Sequence, residues 1–83
     1  MSPVTHQIEQ SRFTAEIDGQ TAFLSYECAD GVVAMTHTNV PRELEGRGIA
    51  GDLTRTAVEW ARTQGLTVDP QCSYVRSWLA RNS

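Results

Sequence analysis

Residues 44–53 read LEGRGIAGDL, with glycines at 46, 48 and 51 immediately ahead of the most regular helical pattern in the chain. From Gly48 to Gln64, the residues Ile49, Leu53, Ala57, Trp60 and Ala61 recur at helical spacing on one face. Arg55, Glu59 and Arg62 fall on the others, so the stretch predicts an amphipathic helix packed on a core. Gly65 supplies its C-terminal stop.

Upstream of the glycines the period changes from helical to two. In RFTAEID (12–18) Phe13, Ala15 and Ile17 alternate with polar neighbours, and TAFLSYEC (21–28) continues the alternation. VVAMTHTNV (32–40) is then a fourth strand, counting VTHQIEQ (4–10) as the first. Asp18-Gly19 and Asp30-Gly31 lie between these runs, and such dipeptides favour two-residue hairpin loops because they tolerate positive φ. The meander ends at Pro41, which has no amide to give a central strand.

Downstream, LTVD (66–69) is a short strand broken by Pro70. Tyr74, Val75, Trp78 and Leu79 form the apolar stripe of a last helix beginning at Ser73. The order ββββαβα is α+β. A strand–helix–strand crossover is right-handed and sets its two strands parallel, which predicts a mixed, mostly antiparallel sheet.

At 83 residues the chain reads as a single domain, 1–83. Folding at this size hides a little over ~60% of the unfolded surface, so stability is expected to be modest. Apolar residues at 40% and charged residues at 20% exclude the disordered class. No run approaches the ~18 apolar residues of a membrane span, and MSPVTHQIEQ has no basic region leading into an apolar one. The expectation is a cytoplasmic protein with no membrane partner, as a monomer or small homo-oligomer. Cys28 and Cys72 form no CxxC pair and only two histidines accompany them, which argues against zinc and disulfides and for free thiols.

All seven basic residues are arginines. Arg12 stands against five acids in residues 1–34, whereas six arginines meet five acids in residues 35–83, giving −4 and +1 and the total of −3. That balance disfavours nucleic acid, which needs a concentrated basic face, and leaves room for a small polyanion near the second half.

A helix begins with amides that lack intrahelical partners and with a partial positive charge. Glycines just before it let the backbone turn sharply and let an anion approach without meeting a Cβ. Gly46, Gly48 and Gly51 are candidates for that freedom, the amides of residues 47–50 are candidate donors, and Arg47 is a flexible charge beside them. The alternative is a tight strand-to-helix turn with no ligand. The Lys-Ser/Thr pair of a P-loop is absent, which disfavours nucleotide hydrolysis.

VPRELEGRGIAGDLTRTAVEWARTQGL (40–66) resembles the acyl-coenzyme-A-binding segment of the GNAT superfamily of N-acyltransferases, whose pattern at this helix start is Arg/Gln-x-x-Gly-x-Gly/Ala. Gly48 and Ala50 match its fourth and sixth positions, while Glu45 departs from the first and places a carboxylate near the expected pyrophosphate. THTNVP (36–41) and PQCSYV (70–75) are similar to the His-Thr-x-Val and Pro-x-Cys signatures of the short branch of that superfamily, although many relatives have proline where Ser73 stands. The resemblance covers roughly residues 31–80. It implies a reduced GNAT fold and acetyl-CoA as the acyl donor. The pantetheine arm would lie between the fourth and fifth strands along Thr38 and Val40. The pyrophosphate would sit at Gly46, Arg47, Gly48, Ile49 and Ala50.

Cys72 is expected just ahead of the last helix, where the positive helix end favours thiolate and nucleophilicity. In the resembling branch the matching cysteine is placed near the coenzyme thiol, to accept the acyl group or assist its transfer; the other reading is a partly buried structural cysteine. His37, near the end of the fourth strand, is a candidate base for an incoming amine, or a structural hydrogen-bonder. Cys28 reads as a core thiol, and His6 as a terminal surface residue. Tyr74 is a candidate proton donor to a departing thiolate, but fits the apolar stripe better, and Trp60 and Trp78 read as core.

The leading function is a minimal acyltransferase moving an acetyl group from acetyl-CoA to an amine acceptor whose identity the sequence leaves open. The rival is a non-catalytic acyl-CoA-binding module. A third reading is a small α+β interaction domain with no ligand.

Overall fold

The computed structural model describes residues 4–82. In chain order the elements are β1 (Val4–Gln7), β2 (Arg12–Ile17), β3 (Gln20–Ala29), β4 (Val32–Asn39), α1 (Ile49–Thr63), β5 (Thr67–Pro70) and α2 (Ser73–Asn82), with short 3-10 turns at Ile8–Gln10 and Arg42–Leu44. The sheet runs β1-β2-β3-β4-β5, with every pair antiparallel except β4 and β5. The first strand is shorter than its alternation predicts, because Ile8–Gln10 winds into a turn and leaves Ile8 67% exposed. Pro70 does not break β5; it closes it, level with Met35, at the sheet edge where a missing amide costs no ladder bond.

Both hairpins turn as their sequences predict. Asp18 and Gly19 have φ of 53° and 77°, and Asp30 and Gly31 have 54° and 78°, the pair of positive angles that matches the right-handed twist of the flanking strands. Period two then buries Phe13 and Ala15 on β2, Ala22, Leu24 and Tyr26 on β3, and Val33 and Met35 on β4. α1 lays Ile49, Leu53, Ala57 and Ala61 on that face, with Thr54 and Val58 buried beside them. Thr54 is satisfied there by donating its hydroxyl to the Ala50 carbonyl at 2.8 Å. α2 adds Val75 to the same core, with Trp78 and Leu79 partly buried against it.

α1 stops where expected. The Gly65 amide donates to the Arg62 carbonyl (3.1 Å) and the Leu66 amide to the Ala61 carbonyl (2.8 Å), with Gly65 at φ 71°, so the last orphan carbonyls are capped by a Schellman turn. No helix among the described residues is long and apolar enough to cross a membrane.

Two residues stand elsewhere than the sequence predicts. Cys28 is exposed rather than in the core, where β3 runs on past the end of β2, whose pairing with it stops at Arg12 and Ser25. His6 is no terminal surface residue: its ring stacks on Phe13 at 3.9 Å, meets Trp60 edge-on at 4.7 Å, and its Nε2 lies 2.6 Å from the Tyr26 hydroxyl. This cluster fastens β1 to α1. Burial pulls the His6 imidazole below its ordinary value and pushes the Tyr26 phenol up, the latter with help from the nearby Cys28 charge.

Candidate active site

The tip of α1 is set by two apolar anchors. Leu44 is 1% exposed and Ile49 4%, and the four exposed residues between them form a rim. To connect the anchors the chain reverses through Gly46 at φ 84° and Gly48 at φ 76°, angles that cost an L-residue with a Cβ. Gly51 is different. It lies inside the helix without a positive φ, and a Cβ there would lie at ordinary contact distance from the Tyr74 hydroxyl (3.5 Å) and Trp78 Nε1 (3.9 Å).

Gly48 is the N-cap of α1 and offers no side chain to cap it. The first intrahelical bond runs from the Asp52 amide to the Gly48 carbonyl (3.1 Å), so the amides of Ile49, Ala50 and Gly51 precede the helical ladder. A cleft of about 200 Å³ opens beside them, lined by Gly46, Gly48, Ala50, Val40, Glu45 and Tyr74 among others. Val40, Glu45, Ala50 and Tyr74 also line a second hollow of about 360 Å³, whose remaining walls are Thr38 and Asn39. The two form one groove from the helix tip to the end of β4. Arg47 leans away from it, onto Asp18 of the first hairpin at 3.2 Å, in a pair whose side chains are 52% and 70% exposed. Tyr74, half-buried, belongs to this groove more than to the core.

β4 and β5 part at the groove's inner end. Their pairing finishes at Met35 and Pro70, and the amides of Gln71 and Cys72 both turn back onto the Met35 carbonyl (3.1 and 2.9 Å). β4 continues to Asn39, paired with β3 on one side and unpaired with β5 on the other.

An irregularity in β4 decides which side chains face this gap. Ser25 pairs with His37 but Tyr26 pairs with Met35, so Thr36 is an extra residue, a bulge. Before it, Val33 and Met35 face the core. After it the alternation is inverted, and Thr38, opposite the fully buried Leu24, is the core-side residue. His37 shares its face with Ser25 on the other side of the sheet, exposed, its ring 6.1 Å from that of Phe23.

Thr38 therefore meets Cys72, with Oγ1 and Sγ 3.5 Å apart. Cys72 is half-buried at the start of α2, where its carbonyl accepts the Arg76 amide (3.0 Å), as an N-cap residue does. Burial alone would push the thiol up. The Thr38 hydroxyl and the backbone amides of Val75, Tyr74 and Thr38 outweigh it together, so the thiol is held below its ordinary value. The sequence anticipates the helix end, whose first-turn amides are those of Tyr74 and Val75, but not the hydroxyl and amide of Thr38, which tertiary structure supplies.

The fold thus brings Thr38, Val40, Gly46, Gly48, Ile49 and Ala50 around one groove, with Arg47 at its rim and Cys72 against Thr38. It does not bring His37 to Cys72. A parted β4 and β5 ahead of an uncapped helix, in a mixed sheet, is the architecture of the acyl-CoA N-acyltransferase class. The sequence model of the GCN5-related N-acetyltransferase family matches residues 12–83, and the chain belongs to that family. It is 30% identical over 82 residues to Protein NATD1 of Gallus gallus and of Homo sapiens, covering 95% of this chain and 74% and 73% of theirs. The NMR structure of a GCN5-like protein of Staphylococcus aureus superposes with a TM-score of 0.75 at 26% identity, covering 95% of this chain and 78% of that one. The chain is of the acetyltransferase type.

Proposed function

We propose that residues 1–83 act as one unit that transfers an acetyl group from acetyl-CoA to an amine, with Cys72 taking part as a nucleophile. The observation that carries this reading is the continuity of the groove, from the bare amides of Ile49, Ala50 and Gly51 to Thr38, whose hydroxyl lies 3.5 Å from the sulfur of Cys72. The diphosphate of the donor would be held by those amides and by the positive end of α1. Gly46 and Gly48 let it approach the backbone. Val40 and Thr38 flank the pantetheine arm in the gap between β4 and β5. Arg47 is close enough in sequence to swing from Asp18 to a phosphate, since an exposed ion pair holds it by about 0–1 kcal/mol.

A backbone N–H at the end of β4, where the strand is unpaired with β5, is the donor for a thioester carbonyl as negative charge develops on its oxygen. The sulfur attacks the thioester carbon as thiolate, for which its surroundings are suited; the C–S bond to coenzyme A breaks and coenzyme A leaves as thiolate, to be protonated from solvent, and the amine then attacks the S-acetyl carbon and releases the Cys72 thiolate. His37, on the opposite face, serves an amine approaching from that side by receiving its proton. The acceptor side is open, because β1 leads into β2 through a 3-10 turn rather than through helices that could wall a pocket.

Calorimetric titration with acetyl-CoA tests the donor site, and acetyl transfer to a panel of amines by the parent and by Cys72→Ala tests the chemistry. Heat of binding with transfer lost in Cys72→Ala is expected. No binding would refute the function, full transfer by Cys72→Ala would refute the nucleophile, and binding without turnover on any amine would favour a site that only binds acyl-CoA.

A further inference from the structure

We propose that Thr38 is a positioning residue for Cys72: its hydroxyl, turned to the core side by the extra residue in β4, orients the sulfur and donates to it when it is ionised. The inference rests on the reading that Cys72 takes part in transfer, but it concerns the thiol itself.

Three observations meet at this contact. The bulge at Thr36 is what makes residue 38, rather than 37, the core-side residue at the end of β4. Without it Thr38 would face away from α2. The Oγ1 to Sγ separation of 3.5 Å is within reach of a hydrogen bond to sulfur. Cys72 is also fixed from its own side: its amide is held on Met35 and its carbonyl receives Arg76, which hold the backbone that carries the sulfur.

The hydroxyl suits both states of the thiol. A neutral thiol donates its proton to Oγ1, and once that proton has gone to solvent the hydroxyl rotates and donates to the sulfur anion, forming a charge-assisted bond. Threonine does this better than serine because its β-branch restricts χ1 and keeps the hydroxyl aimed. The signature that pairs a threonine after the strand histidine with a distant cysteine thus acquires a physical meaning here. The two residues lie 34 positions apart and meet only through the bulge and the end of β5.

The test is the rate of alkylation by iodoacetamide against pH, measured on the full chain carrying Cys28→Ser so that one thiol remains. Thr38→Val keeps the shape and the backbone amide but removes the donor. Its rate at pH 7 is expected to fall on the order of tenfold, with the inflection moved to higher pH. Thr38→Ser restores most of the rate. Melting curves of all three proteins report whether each is folded. A Thr38→Val profile that superimposes on the parent's would overturn the proposal, as would an equal loss in Thr38→Val and Thr38→Ser, which would make residue 38 a packing position only. Because no acyl donor is present, a shifted profile alongside absent acetyl-CoA binding would refute the acyltransferase reading and leave the role of Thr38 standing.

Discussion

The same substitution three residues apart should act with opposite sign. Gly48 has φ 76° and a Cβ built on it meets nothing within 4 Å, so the penalty of Gly48→Ala is purely one of backbone conformation. The left-handed region costs an L-residue about 1–2 kcal/mol, part of which is offset because alanine also restricts the unfolded chain. The net loss is about 1 kcal/mol, or about 4–8 °C in Tm for a domain of this size. Gly51 is helical, and its added methyl would lie at ordinary contact distance from Tyr74 and Trp78. Gly51→Ala therefore gains helix propensity, up to about 1 kcal/mol, and should melt higher than the parent. Thermal unfolding followed by circular dichroism measures both. Acetyl-CoA titration adds a second axis: since Gly51 lines the groove, its alanine variant should be more stable yet bind more weakly. If Gly48→Ala were as stable as the parent, or both variants moved together, the left-handed turn would not be what positions the tip of α1.

Glu45 lines both halves of the groove, so Glu45→Gln should tighten acetyl-CoA about threefold to tenfold, the scale of one nearby charge in a high dielectric, and the gain should shrink in high salt; equal affinity in dilute buffer would place the phosphates elsewhere. The His6 imidazole is held below its ordinary value of 6.5 by burial, so its contribution to stability is whole above that pH and is lost as pH falls through the lower folded value. Urea midpoints between pH 7.5 and 5 should fall more steeply for the parent than for His6→Gln, and parallel slopes would contradict the assignment. At pH 7 Cys72 should be alkylated before Cys28 even though Cys28 is the more exposed thiol; peptide mapping after partial reaction decides the order, and the reverse order would remove the case for an activated sulfur.

Much of the architecture is written locally. Asp-Gly at 18–19 and 30–31 carries its own turn geometry, the alternation from Phe13 to Met35 carries its own inner face, and Gly65 ends α1 by a rule that involves only six consecutive residues. Those features depend on neighbours in the chain, so a single sequence displays them. Gly46 and Gly48 were legible for the same reason, as a turn that needs positive φ before a helix.

What the alternation conceals is the point at which it breaks. THTN is four polar residues with no apolar member to mark a face, and nothing in them states that Thr36 will be skipped by β3; the bulge exists only in the pairing of two strands, and it exchanges the faces of His37 and Thr38. His6 is likewise ordinary as a sequence symbol and becomes a half-buried partner of Phe13, Tyr26 and Trp60 only when β1 is brought under α1. The chain by itself determines the strands, the two turns, the helix and the bare amides at its tip, because each follows from contacts a few residues long. Which side chains surround Cys72 is decided by tertiary structure, because strand register and the parting of β4 from β5 are properties of pairs of segments.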